Sequence, residues 1–283
     1  MIPPLLAGLC DDAALFPPGD APVARAVPAH RGHRAAWYAE LVGPFLATPR
    51  HFAEVADVAR ATETLVPLIL VVPDGPAALG AAVQATMAEP GVELVGVELA
   101  CGPDGSAAQA ANTAAYALAR ELLEGVRGTV EVRRGPGLQD ALDVLASMSY
   151  RAKFRTGGTT SSAFPTVDEL AAFIVGCTER KLPFKCTAGL HGAARHTDPV
   201  TGFEHHGFLN ILAATDVALS GADERTVADT LRIRSGHQLA EFLRPRLDDT
   251  RRAFTGYGTC SIEEPLAELT ALGLLSRPAP ETV

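Results

Sequence analysis

The stretch Arg151-Ala152-Lys153-Phe154-Arg155-Thr156-Gly157-Gly158 and its echo, Pro183-Phe184-Lys185-Cys186-Thr187-Ala188-Gly189-Leu190-His191, each read as a short strand closed by a glycine turn. A helix from about Thr166 to Arg180 follows the first; a histidine-rich loop and another helix follow the second. Such strand–turn–helix units are joined by right-handed crossovers that lay their strands parallel. The same rhythm extends upstream. Apolar runs at Leu41–Leu46, Val66–Val72, Val92–Leu99 and Thr129–Arg133 alternate with helical patterns at His51–Thr62, Pro76–Ala88, Ser106–Glu124 and Leu138–Met148. Runs that are apolar throughout predict strands buried on both faces of a parallel sheet.

Downstream, Phe208–Leu219 is a clear helix, whereas Thr226–Leu243 reads as one helix, two, or a degenerate strand near Leu231–Arg234. The last unit is strand Arg252–Tyr257, turn Gly258-Thr259-Cys260 and helix Ser261–Leu272, with Ser261 as its N-cap. At the other end, residues 1–21 read as an irregular lead-in and Pro22–Leu41 as a helix broken near Pro28, anchored by Trp37. The expectation is one domain over residues 1–283: a (β/α)8 TIM-like barrel with a degenerate seventh strand, onto which residues 1–40 pack as lead-in and N-terminal helix. An open doubly wound sheet is the competing arrangement.

Composition narrows the function. The chain has 283 residues, 47% of them hydrophobic, and a net charge of -9. With no basic patch, RNA-binding aromatic motif or zinc-finger spacing, no nucleic-acid partner is expected. No apolar run reaches the roughly 18 residues of a membrane span, and the start lacks a signal-peptide pattern. Five scattered cysteines form no CxxC pair, so a cytoplasmic protein without a disulfide framework is expected.

Only three lysines occur, Lys153, Lys181 and Lys185, against 21 arginines among the 24 basic residues. A composition rich in alanine, arginine and glycine accounts for their scarcity but not for two of them lying in apolar strands. Alternation puts Lys153 on one face with Arg151 and Arg155, Lys185 with Thr187, and Glu131 with Arg133; Glu98 ends its own strand. In a barrel interior, desolvation and a neighbouring cation (Arg155, Lys185) are expected to lower the Lys153 pKa, leaving a neutral amine able to attack a carbonyl. The plainer alternative is that each lysine pairs with Glu131 or Glu98 and fills space. Lys181 reads as a surface residue.

The turns Thr156-Gly157-Gly158, Thr187-Ala188-Gly189 and Gly256–Ser261 expose backbone N–H groups beside helix starts, which suits an anion. Arg133 and Arg155 would support it, with Gly258 and Ser261 after the final strand and His206 and Asn210 at a helix start. Tight βα loops explain the same glycines without a ligand. His191, His196, His205 and His206 cluster with Asp198 and Glu204, but no HxH or HExxH spacing appears, so neither a metal nor another cofactor is expected. His191 or His206 would serve as a proton shuttle; solvated loop histidines are the alternative. The loop Gly192–Glu204 reads as a lid, and Cys186 and Cys260 as small fillers. Asp11 and Asp12 read as surface residues unless the N-terminal segment crosses the barrel mouth.

Lys153-Phe154-Arg155-Thr156-Gly157-Gly158 followed by Phe184-Lys185-Cys186-Thr187-Ala188-Gly189 resembles the paired lysine strands of the deoxyribose-phosphate aldolases. Thr166-Val167-Asp168-Glu169-Leu170 is similar to the connecting helix start. The likeness covers about forty residues and departs at Arg155 and at Leu190-His191; no counterpart of the family's proton-relaying acid is found. The segments Asp11–Pro18 and Gly258–Pro265 look like marks of a bacterial barrel family. The aldolase resemblance implies that Lys153 forms a Schiff base and Lys185 tunes it. The expectation is a Schiff-base lyase for a small anionic carbonyl compound, with Glu131 or His191 moving protons and a homo-oligomer left open. The alternatives are a phosphoribosyltransferase-like or metal-assisted hydrolase barrel, and a non-catalytic ligand-binding barrel.

Overall fold

The computed structural model describes residues 2–62, 65–245 and 249–278. Eight parallel strands close into a barrel: β1 (Cys10–Asp12), β2 (Val42–Ala47), β3 (Val66–Val72), β4 (Val92–Ala100), β5 (Arg127–Glu131), β6 (Arg151–Arg155), β7 (Phe184–Thr187) and β10 (Phe254–Thr259). A two-stranded hairpin, β8 (His196–Thr197) and β9 (Glu204–His205), occupies the loop after β7, where a lid was expected. The expected α/β barrel is present.

Two details differ from the sequence reading. The eighth stave is β1, which lies inside the presumed lead-in and pairs with both β10 and β2. Leu231–Arg234 is no strand: α8 (Glu224–Leu231) ends there and α9 (Gly236–Leu243) begins after a short loop. Three polar or small residues in β1 carry no apolar run, and ladders on both sides supply what their side chains do not. Accordingly α1 (Val23–Ala35) follows the first strand rather than preceding the barrel, with Pro28 inside it.

The other crossovers are α2 (Pro49–Ala61), α3 (Pro76–Met87), α4 (Ala107–Glu121), α5 (Leu138–Ser147) and α6 (Val167–Glu179). α7 (Phe208–Leu219), α8, α9 and α10 (Asp249–Ala253) lie between β7 and β10, and α11 (Glu263–Ala271) follows β10. Capping boxes start two of these helices, Ser106 with Gln109 and Thr166 with Glu169. Each satisfies two N–H groups that the first turn leaves unpaired. Among the described residues no helix is long and apolar enough to cross a membrane.

Aromatic packing outside the sheet decides which side chains point inward. Phe154 stacks on Phe173 of α6 with ring centroids 4.4 Å apart. Phe184 meets the same ring edge-on at 5.2 Å and also contacts Phe254. Tyr257 stacks on Phe208 of α7 at 5.4 Å. Because neighbours along a strand point to opposite faces, Phe154 and Phe184 facing the helices send Lys153 and Lys185 into the barrel. There the ceiling over one half is apolar, formed by Ala13, Leu46, Ile69 and Val71.

Phe173 is therefore the residue that joins β6, β7 and α6. Phe173→Ala is expected to cost about 3–5 kcal/mol in urea unfolding, whereas Tyr116→Ala, at an exposed helical position, should change stability by less than about 0.5 kcal/mol.

Candidate active site

Lys153 and Lys185 stand in register on adjacent strands, and Glu131 stands in register with Lys153 on the other side. Glu98 projects from β4 across the lumen and uses both oxygens: Oε2 lies 2.5 Å from Lys153 Nζ, and Oε1 accepts from Lys185 Nζ. Asp11 of β1 also accepts from Lys185. Glu131 Oε2 lies 3.0 Å from Lys153 Nζ, and its Oε1 accepts from Arg155 Nε at 3.0 Å. The result is an unbroken alternation of charge across the barrel, Asp11–Lys185–Glu98–Lys153–Glu131–Arg155.

Burial is graded along it. The side chains of Glu98 and Lys153 are 1% and 3% exposed, that of Glu131 is 18%, and that of Arg155 is 52%. Arg155 thus meets solvent at one end, while at the other the side chains of Lys185 and Asp11 are 5% and 11% exposed. Gly43 makes room for Asp11 at that other end, since a Cβ there would fall 2.1 Å from Asp11 Oδ1.

The electrostatics reverse one sequence expectation. Burial pushes the Lys153 ammonium down, but Glu131 and Glu98 outweigh it, and its pKa is raised. Lys185 follows the same pattern, with Asp11 and Glu98 overcoming burial. Arg155, expected to depress Lys153, is occupied by Glu131. Glu98 also resists burial: the two ammoniums hold its carboxyl down at about 2, and Lys153 and Arg155 lower Glu131 likewise. For Asp11 desolvation wins over the pull of Lys185, and its pKa is raised. Both lysines are therefore ammonium ions at neutral pH.

The glycine turns serve close packing. Thr156 Oγ1 donates to the carbonyls of Thr187 and Ala188, tying the β6 and β7 loops together. A Cβ on Gly157 would meet Gly189 Cα at 2.7 Å, and one on Gly158 would meet Ala163 Cβ at 2.7 Å. Gly189 itself adopts φ +71°, in the left-handed region. Gly258 faces the lumen beside Leu46, Thr187 and Ala13, and Ser261 Oγ accepts the Glu264 N–H at the start of α11. Arg133 Nη1 and Nη2 donate to the carbonyls of Pro103, Gly105 and Ser106, which brace the β4–α4 loop.

The histidines divide. His206 is fully buried; its Nε2 donates to Pro165 O at 2.8 Å, Arg195 approaches Nδ1, and burial pushes its pKa down to about 4. It is a neutral strut. Asn210 likewise accepts from the Arg195 N–H and donates to the carbonyls of Thr230 and Ile233. His191 lies at the mouth, its Nδ1 3.2 Å from Glu264 and 3.7 Å from Cys260 Sγ, and burial pushes that thiol up to about 11. His205 and His196 lie beside it with ring centroids 5.2 Å apart. Among the described residues no three histidine, cysteine or acidic side chains are placed to hold a metal ion.

A cavity of about 430 Å³ opens at the C-terminal end of β4–β6, lined by Glu131, Arg133, Arg134, Arg155, Phe154 and Cys101. Glu131 joins this cavity to the buried lysines. Sequence reasoning left Asp11 on the surface and did not single out Arg134; both gain their meaning only from closure of the barrel. The chain matches no family model and no curated protein.

Glu98 carries two buried ammoniums, so Glu98→Gln is expected to cost about 3–5 kcal/mol at pH 7. Its folded pKa lies below the unfolded value of about 4.3. Its contribution, roughly 3 kcal/mol for that difference, is complete above that value and is lost as the pH falls towards 2. Unfolding measured between pH 7 and pH 3 should therefore show a shallower acid limb in the variant. The raised lysine values act oppositely, contributing below about pH 10.4 and fading above it.

Proposed function

We propose that the chain is a lysine-dependent lyase that forms a Schiff base between Lys153 and a small anionic carbonyl compound. The observation that carries the reading is the Lys153–Glu98–Lys185 bridge. Buried ion pairs rarely repay their desolvation, and a perturbed charged cluster beside a cavity at the C-terminal end of a barrel is where such folds carry out chemistry. The local likeness to aldolase lysine strands supports the same roles, and Glu98 and Glu131 are the carboxylates within reach of Lys153.

The chemistry starts from a charged amine. Lys153 passes a proton to Glu131, the more solvent-exposed of its two carboxylate partners, while Lys185 keeps Glu98 ionised. The freed amine adds to the substrate carbonyl, and a proton moves from nitrogen to the new alkoxide to give a carbinolamine. Glu131 returns its proton to the carbinolamine hydroxyl, which leaves as water, so ammonium plus carbonyl becomes iminium plus water. The electron pair of the Cα–Cβ bond then moves into the iminium to give an enamine, as Glu131 removes the proton of the β-hydroxyl group and the Cβ fragment leaves as a carbonyl compound. Glu131 returns that proton to the enamine carbon, and water hydrolyses the iminium to free Lys153 and the second carbonyl product. Arg155 and Arg134 hold the anionic end of the substrate in the cavity, bidentate geometry being what guanidinium offers a phosphate or carboxylate.

The raised pKa of Lys153 favours a second reading, a barrel that binds an anion with no covalent step. Borohydride reduction in the presence of glyoxylate, pyruvate and glyceraldehyde 3-phosphate, followed by peptide mass spectrometry, separates the two. An adduct on Lys153, absent in Lys153→Arg and slowed about 100-fold in Glu131→Gln, is the expected result. Labelling confined to the exposed Lys181, or none with any of the three compounds, would sink the covalent reading.

A further inference from the structure

The opposite end of the barrel holds a second charged cavity, and we propose that it is a binding site for a phosphate-sized oxyanion held between Arg127 and Arg151. The two residues open β5 and β6 and share the lumen-facing side of their strands with Glu131 and Lys153, which lie at the other end. They line a cavity of about 120 Å³ together with Thr129 and Gly96, and Lys185 forms part of its inner wall. By the volume of liquid water this is room for about four waters, or one tetrahedral oxyanion with its residual hydration.

The charges there are unbalanced. Arg155, Arg134, Arg180 and Arg195 each reach a carboxylate; among the described residues Arg127 and Arg151 make no ion pair. Arg151 is half-buried; burial and the nearby Arg127 weigh against its charge and outweigh the pull of Asp11. A third guanidinium, Arg251, comes close enough to feel Arg151; its Nη atoms donate to the carbonyls of Ala7, Phe254 and Thr255, and its buried Nε has no partner. The cavity also meets Asp11 and Glu98, but both are bound to Lys185, so the guanidiniums keep the excess positive charge. Like charges drawn together and partly desolvated are stabilised by an oxyanion, which accepts their N–H donors in pairs. Gly43 and Gly96 keep the space open: a Cβ on Gly96 would lie 3.3 Å from Ile69 Cγ1 and from the Arg127 carbonyl.

The site is independent of the chemistry proposed at the other mouth, and its test needs no carbonyl compound. Isothermal titration calorimetry with inorganic phosphate, at constant ionic strength in chloride, is expected to give saturable one-to-one binding. The double variant Arg127→Gln/Arg151→Gln should weaken it at least about tenfold, the loss of one or more charge-assisted hydrogen bonds. Arg232→Gln, an exposed arginine outside the cavity that pairs with Asp168 and Asp229, should leave it unchanged. Without phosphate the double variant should melt no lower than the parent, because it removes a repulsion. If it does not fold, the exposed Arg127→Gln alone serves. Glycerol 3-phosphate, titrated in parallel, distinguishes a free ion from the phosphate group of a larger ligand that projects through the open end; tighter binding of either supports the site. Absence of saturable binding in the parent protein, or undiminished binding in the variant, overturns it.

Discussion

A carboxylate with an ammonium on each of its oxygens is the constraint on which the interior depends. Glu98 cannot be removed or protonated without leaving two buried ammoniums short of a counter-charge, and neither lysine can move without releasing it. Each strand that contributes to the chain of charges, β1, β4, β5, β6 and β7, is thereby held in register by a contact inside the barrel as well as by its ladder. The apolar ceiling of Ala13, Leu46, Ile69 and Val71 lowers the polarity on one side of this arrangement, which strengthens the pairs beside it. The aromatic layer outside works to the same end, since Phe154 and Phe184 orient the lysines by occupying the opposite face.

The gradation of burial gives that network a direction. Charge at one end is fixed by Asp11 and Lys185, which border the cavity of the N-terminal mouth, whereas Glu131 and Arg155 touch solvent at the cavity of the C-terminal mouth. Of these carboxylates it is Glu131 that lines the C-terminal cavity. The two ends of the barrel thus hold different stocks of arginine: at one mouth Arg155 is paired, and at the other Arg127 and Arg151 make no ion pair among the described residues.

Most of the barrel was legible because continuous apolar runs bounded by glycine or proline leave few readings other than parallel strands. The inward orientation of Lys153 and Lys185 was legible for the same reason, period-two alternation against large aromatics. β1 was not, because Cys10-Asp11-Asp12 owes its conformation to ladders formed with residues far away in the chain. That omission hid Asp11, and with it half of the lysine environment. The sign of the lysine shifts was out of reach too. Arg155 is two residues from Lys153 in sequence, yet Glu98, remote along the chain, is the nearer charge in space. His206 and Asn210 looked like mouth residues because polarity is visible in a sequence, whereas the carbonyls that consume their hydrogen bonds are not.

The placement of β1 between β10 and β2 has a consequence for how the chain is made. The first barrel strand to be made is flanked on one side by the last, so the ring cannot shut until the chain has emerged through β10. Until then β1 and β7 are open edges, and such edges recruit other strands. Translation therefore passes through a stage in which an incomplete sheet must be shielded, and final closure, a contact of very long sequence separation, is expected to be the slow event in maturation.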